Sequence, residues 1–417
     1  MSWISNCRSC DSLGLEPVLD LGAQRLTDFR DDDKLGKAFP LDLVYCSDCH
    51  LVQLSYSVPP ELMYHDRYGF KSGVNEAIRA DLHSIVKDGL RLHPDPRRWL
   101  DIASNDGTLL SYVNGDILDQ SDWHSRILTV GIDPVAPLCA EAVARADQII
   151  NDYFAPGLVA EHGPFNVITS ISMFYDLDDP NEFVGGVKRV LAAGGVWIVQ
   201  QNYVGSMLDL NAVDNICHEH REYYSLLALN ALLDRHGLEV FDVSLSSVNG
   251  GCFRTAIART GERRVSANVY RLMGEESVTG IGGVGSYRRF AADALDTLDA
   301  IGSLIRGIIA KGERVWIYGA STRGGTIWQG AGLTRDDLPF AVDRNPAKVG
   351  KFMSSIGSEI ISEERARAER PEYMVVSPWF FRDLFVKRER DYLAAGGKLI
   401  FPLPELEVVS DAKAIAA

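Results

Sequence analysis

The 417-residue chain has no long apolar run, no surplus of positive charge and few cysteines, 7 in all. No stretch approaches the roughly 18 consecutive apolar residues of a membrane-spanning helix, so no membrane span is expected. Lys and Arg number 42 against 57 Asp and Glu, a formal net charge of -15. That balance argues against general binding to nucleic acid or anionic membrane, although a local basic pocket could still hold a small anion. The opening residues, Met1-Ser2-Trp3-Ile4-Ser5-Asn6-Cys7, lack the basic and apolar regions of a signal peptide. A cytoplasmic protein with reduced thiols is the expectation. Low-complexity tracts are absent, and the strand-to-helix turns at residues 103–108 and 319–325 both lack Gly-x-Gly-x-x-Gly, which argues against a nicotinamide-dependent oxidoreductase. What remains is ordinary globular composition, 46% apolar and 24% charged, in a chain long enough for two or three domains.

Four of the cysteines form two pairs, Cys7-x-x-Cys10 and Cys46-x-x-Cys49. A two-residue gap lets one turn present both sulfurs to one metal, and two such knuckles complete a tetrahedral zinc site. With all four positions taken by thiolates, the zinc is expected to be structural. A redox pair or unrelated thiols are the alternative. The remaining cysteines, Cys139, Cys217 and Cys252, have no ligand spacing.

Downstream, Tyr64 to Asn75 reads as a linker into an amphipathic helix from Glu76 to Leu90. Trp99 to Leu110 is a short apolar strand, a polar turn at Ser104-Asn105-Asp106-Gly107, and a helix start. Val130-Gly131-Ile132-Asp133-Pro134 is a second strand ending in an acid, placed to accept hydrogen bonds from ribose hydroxyls. This first turn is acidic and has no glycine cradle for pyrophosphate. A nucleoside without phosphates and with a positive sulfonium, S-adenosylmethionine, suits it better. Asp101 can face the methionyl amino group, and Asp152 falls near the adenine. The strand ending at Ser170 and the strand after Gly194-Gly195 continue a doubly wound parallel sheet. A plain nucleotide-binding fold is the competing reading.

Leu226 to His236 is a helix, and Leu238–Val243 and Cys252–Ile257 are strands joined across Asn249-Gly250-Gly251. Gly274 to Gly285 is expected to be a mobile loop or linker, followed by a helix from Tyr287 to Ala310. A second nucleotide-type fold opens at Arg314 to Thr326, where amides around Ser321 and Gly324 can bind phosphate. Arg323, Arg344 and Lys348 can add positive charge there. A docking domain that binds nothing is the alternative.

The densest chemistry is in Asn215 to Ser225, with two imidazoles, two carboxylates, two phenols and a thiol. Buried polar groups need partners, and histidine accepts protons near neutral pH. A proton-transfer site and a solvated helix start both fit the residues.

Taken together, these motifs make the chain resemble the sugar C-methyltransferases of deoxysugar biosynthesis from Cys7 to about Leu406. The resemblance rests on the paired Cys-x-x-Cys motifs, Tyr68-x-Phe70-x-Ser72-Gly73, Ser104 to Gly107, Gly131 to Pro134, His218-Glu219-His220 and Val342-Asp343-Arg344-Asn345-Pro346. It implies an α/β architecture with a zinc module (1–65), a Rossmann-like S-adenosylmethionine-dependent domain (66–245) and a second Rossmann-like domain that holds the nucleotide sugar (246–417). It also implies a nucleotide-linked 4-keto-6-deoxysugar substrate, methylated at C3, with His220 as base and Glu219 and an aromatic near Tyr68 positioning the sugar. A monomer is expected.

On this reading neutral His220 removes a proton beside the ketone. Tyr223, Tyr224 or Tyr68 steadies the enolate oxygen, and the carbanion attacks the sulfonium methyl. His218, Ser72, Ser321, Arg323, Gly324, Asp343, Arg344 and Lys348 are the substrate-side candidates. Cys217 and Asp176 depart from the family pattern, so the roles at those positions do not carry over. Methylation of a sugar oxygen or amine, and a non-catalytic zinc-stabilised scaffold, are the other readings.

Overall fold

A computed structural model describes residues 2–65, 69–115 and 126–410. Tyr68, one of the expected site residues, lies outside them. The central domain is a seven-stranded sheet. Numbered by order within that sheet, its strands are Arg98–Ile102, Leu128–Ile132, Gln148–Ile150, Phe165–Ile171, Leu191–Asn202, Leu238–Ser246 and Cys252–Arg259. They lie in the order 3-2-1-4-5-7-6. The first five are parallel, and the last two run antiparallel as a hairpin. The parallel strands read as nearly unbroken apolar runs because helices cover both faces. The expected boundary at 245/246 falls inside this hairpin, and the strand Cys252–Arg259 pairs with Leu191–Asn202 in the central sheet. Arg254 fixes the hairpin to the helix Glu76–Leu92 through Asp81 and Asp88.

The expected mobile loop at Gly274 to Gly285 is corrected. Residues up to Thr279 belong to the helix Ala267–Thr279, and Val284 begins the helix Val284–Ile309. Glu276 is the physical reason. Its buried carboxylate accepts from the amides of Leu226 and Leu227 and from the Tyr203 hydroxyl. A carboxylate used that way needs its backbone held in place.

The C-terminal sheet has a parallel core of Lys398–Phe401, Tyr373–Val376, Val315–Tyr318, Phe340–Asp343 and Glu359–Ser362. The N-terminal module joins both neighbours through backbone pairing. Its strand Phe29–Arg30 adds to the edge strand Phe352–Met353 of the C-terminal sheet. Its strand Val52–Leu54 pairs with Glu222–Tyr223, inside the polar stretch that follows the central sheet. No helix among the described residues is long and apolar enough to cross a membrane.

Candidate active site and metal centre

Each Cys-x-x-Cys forms the same turn. The amide of Asp11 donates to the Cys7 carbonyl at 2.9 Å, and that of His50 to the Cys46 carbonyl at 3.0 Å. Asp11 and His50 both turn left-handed, with φ of 61° and 64°. The pairing puts Cys7 Sγ 3.5 Å from Cys49 Sγ and Cys10 Sγ 3.6 Å from Cys46 Sγ, with all four sulfurs within 4.8 Å of one another. Zn–S bonds of about 2.3 Å place tetrahedral sulfurs about 3.8 Å apart, so the donor set suits zinc. Gln53 Nε2 donates to Cys7 Sγ at 3.1 Å, a contact that would help hold negative charge on the thiolate.

At the carboxyl ends of the central strands, Asp101, Ser104, Asn105, Ser72, Ser172 and Gln200 line one cavity. This is the crevice where such sheets bind ligands. Asp101 is buried and accepts from Thr169 Oγ1 at 2.6 Å. Burial pushes its carboxyl up to about 7. Ser104 Oγ is buried with no partner. An unsatisfied hydroxyl and a carboxyl short of a cation suit a ligand that carries an ammonium and hydroxyls.

Other expected cofactor residues brace this cavity. Asp106 is fully buried, accepts from Gly73 N and Thr108, and pairs with Arg145 at 3.0 Å. Asp133 accepts from the amides of Asn105 and Val135, both at 2.9 Å, which leaves one lone pair on each oxygen. Gly107, at φ 76°, brings the turn against Ala142, where an added Cβ would sit 3.0 Å away. Ser170 accepts from Trp197 Nε1 inside the core. Asp152 is exposed, and Pro134 is half-buried outside the cavity. Sequence reasoning passed over Ser172 and Gln200. Ser172 sits at the left-handed residue just past the strand Phe165–Ile171, with φ of 54°.

A second cavity, of about 350 Å³, shares Phe70, Ile78, Ser172 and Asn249 with the first. All three domains line it: Asp28, Phe29 and Tyr64 from the N-terminal module, Tyr175, Asp176, Glu219 and His220 from the central domain, and Ser321, Arg323, Lys348 and Phe380 from the C-terminal domain. The stretch around His220 is a packed, non-helical turn, so the solvated helix start is ruled out. His220 Nδ1 lies 2.8 Å from the Asn215 carbonyl. A carbonyl has no proton to give, so Nδ1 carries the hydrogen and Nε2 keeps its lone pair. Burial, then the Arg323 guanidinium, lower the imidazole to about 3 and keep it neutral. The Tyr175 ring packs edge-on 4.4 Å from it. Glu219 is pushed up by burial, and Asp176, which accepts from Tyr64 Oη at 2.8 Å, is pushed well above the carboxylate range.

Not every residue of the motif faces this cavity. His218 points into the N-terminal module, with Nε2 3.2 Å from the Phe39 carbonyl. Tyr224 is fully buried and donates to Glu222 at 2.9 Å. Tyr223 is directed at the Asn215 carbonyl at 3.4 Å. On the C-terminal side, Ser321 caps the helix Thr322–Gly330, and Gly324 is packed so tightly that a Cβ would meet Ser377 Oγ at 2.6 Å. Arg323 is bound to buried Asp214 at 2.7 Å, so its charge is already compensated. Lys348 donates to the Ala320 carbonyl, lies over Phe29 and is 3.7 Å from Asp343. The Asp343 carboxylate holds the amides of Ala320 and Asn345, and Arg344 is exposed outside the cavity.

An acid-lined cavity at the carboxyl ends of a 3-2-1-4-5-7-6 sheet, at a turn without a glycine cradle for pyrophosphate, fits an S-adenosylmethionine-dependent methyltransferase. A zinc binding domain is matched over residues 7–64, a methyltransferase domain over 71–243 and a C-methyltransferase C-terminal domain over 247–404. The chain is 28% identical to the C-methyltransferase NovU of Streptomyces niveus over 427 residues, covering 98% of this chain and 97% of that protein. With these three domains the chain is an S-adenosylmethionine-dependent C-methyltransferase, with S-adenosylmethionine and zinc as its cofactors. Solved structures similar to part of it include the plantazolicin methyltransferase BpumL with SAH, at 12% identity over 43% of this chain and 82% of that one, TM-score 0.34. An S-adenosylmethionine-dependent methyltransferase from Clostridium acetobutylicum matches at 12% identity over 45% and 93%, TM-score 0.34.

Proposed function

We propose that this enzyme methylates the carbon beside the ketone, at C3, of a nucleotide-linked 4-keto-6-deoxysugar, with His220 as the base. The observation that carries the reading is the hydrogen bond from His220 Nδ1 to the Asn215 carbonyl. It leaves Nε2 as a proton acceptor in a cavity adjoining the cofactor cavity. A bound S-adenosylmethionine supplies an electrophilic methyl group. Asp101 and Ser104 would hold its amino acid and nucleoside parts.

Nε2 takes the proton from the carbon beside the carbonyl, and the imidazolium that forms is stabilised by the Asn215 carbonyl. Tyr224 is spent on Glu222 and Tyr223 on Asn215, so the enolate donor is placed elsewhere. Glu219 and Asp176, whose raised pKa values favour the protonated form, line the same cavity. A neutral carboxylic acid can donate to a developing oxyanion. Lys348 and the amides at the start of the helix Thr322–Gly330 offer the nucleotide its positive ground. A cytoplasmic location agrees with seven cysteines that form no disulfide.

The test uses ketosugar in heavy water, with S-adenosylhomocysteine to read exchange and with S-adenosylmethionine to read turnover. The native enzyme should exchange the hydrogen beside the ketone for deuterium. His220→Asn should bind both ligands without exchange or turnover. Exchange at the native rate by His220→Asn would remove the base from this residue. Product formation with no exchange would favour methylation at oxygen or nitrogen.

A further inference from the structure

We propose that Asp214 is a positioning residue for His220, through which the C-terminal domain fixes the proton of the imidazole on Nδ1. The proposal rests on the reading of His220 as the base. Asp214 belongs to the central domain and is fully buried, yet its carboxylate is held by Arg323 and Trp379 of the C-terminal domain. Its Oδ2 accepts from Arg323 Nε at 2.9 Å and from Trp379 Nε1 at 3.0 Å, and lies 2.7 Å from Arg323 Nη2 in an ion pair. Arg323 is itself held by the Asn249 carbonyl at 2.6 Å.

Asp214 sits in the single turn Val213–Asn215, next to the carbonyl that His220 uses. Thr326 Oγ1 holds the far side of this turn by donating to the Ile216 carbonyl at 2.8 Å. The Asn215 carbonyl therefore cannot swing away without pulling a buried carboxylate off a guanidinium. A buried ion pair adds little stability over an apolar pair of the same volume, so its value here is geometric. Freed from that carbonyl, the imidazole would carry its proton on either nitrogen and lose the Nε2 lone pair part of the time.

The test compares full-length, zinc-loaded native enzyme with Asp214→Asn. Asn keeps the shape and the acceptor for Trp379 and leaves the Arg323 charge without its counterion. Nitrogen NMR of histidine-labelled protein with S-adenosylhomocysteine reads the tautomer. In the native enzyme His220 should show a protonated Nδ1 and a bare Nε2. In Asp214→Asn both signals should move toward their average. The kcat should fall at least tenfold, while KM for S-adenosylmethionine stays within twofold. Trp379→Phe removes one donor to the same oxygen and should give a smaller shift in the same direction. It decides the matter if Asp214→Asn does not fold. Unchanged nitrogen signals in a folded variant would overturn the positioning role and leave the base reading intact. Moved signals with native kcat would instead overturn the base reading.

Discussion

Asp101 makes cofactor binding depend on pH in a direction the structure dictates. Burial raises its carboxyl to about 7, so in the empty cavity it holds a proton well above the usual carboxylate range. An ammonium beside it would favour the ionised form and lower that value. Binding below pH 7 then expels a proton, and affinity must rise with pH until the carboxyl is ionised in the empty cavity. The α-amino group of the ligand, near pKa ~7.8, loses its charge on the other side and turns affinity down again. The product of the two charged fractions peaks near pH ~7.4 and is about 17-fold lower at pH 5.5, a difference of about 1.7 kcal/mol. Calorimetric titration with S-adenosylhomocysteine from pH 5.5 to 9, in buffers of different ionisation enthalpy, reads both the affinity and the protons released. Asp101→Asn should bind more weakly and lose the acid limb. A flat profile below pH 7, or the same acid limb in the variant, would refute the pairing of Asp101 with the amino group.

Metal removal should be felt at the base, because the strand Val52–Leu54 of the zinc module pairs with Glu222–Tyr223. Chelation, or Cys46→Ser, should raise amide exchange across residues 215–224, read by mass spectrometry, before the central sheet opens. Gly325 packs against the N-terminal module so closely that a Cβ would lie 2.0 Å from Thr27 Oγ1. Gly325→Ala should lower stability by about 1–3 kcal/mol, measured as a loss of Tm, and Thr27→Ala in the same chain should restore part of it.

The local spacing of residues determined much of this protein. Two thiols separated by two residues make a knuckle wherever they fall, so the zinc module was legible before its sheet was known. Short apolar runs ending in Asp101, Asp133 and Asp343 gave the parallel strands and their polar tips, because strand and turn signals are local. His220, with so many polar neighbours, stood out for the same reason. Tertiary structure decided which way each of these side chains turned. Asp106 in the expected cofactor turn and Asp133 at the tip of the next strand both brace that turn, since amides and an arginine reach them first. His218 and Tyr224 lie within four residues of His220, but Phe39 draws His218 into the N-terminal module and Glu222 takes the Tyr224 hydroxyl. That strands from one small module would fasten both larger domains, and that Arg323 would answer to Asp214, depends on pairings across more than a hundred residues. Sequence periodicity reports what a residue does to its own turn or strand. It carries no information about which distant partner reaches that residue first.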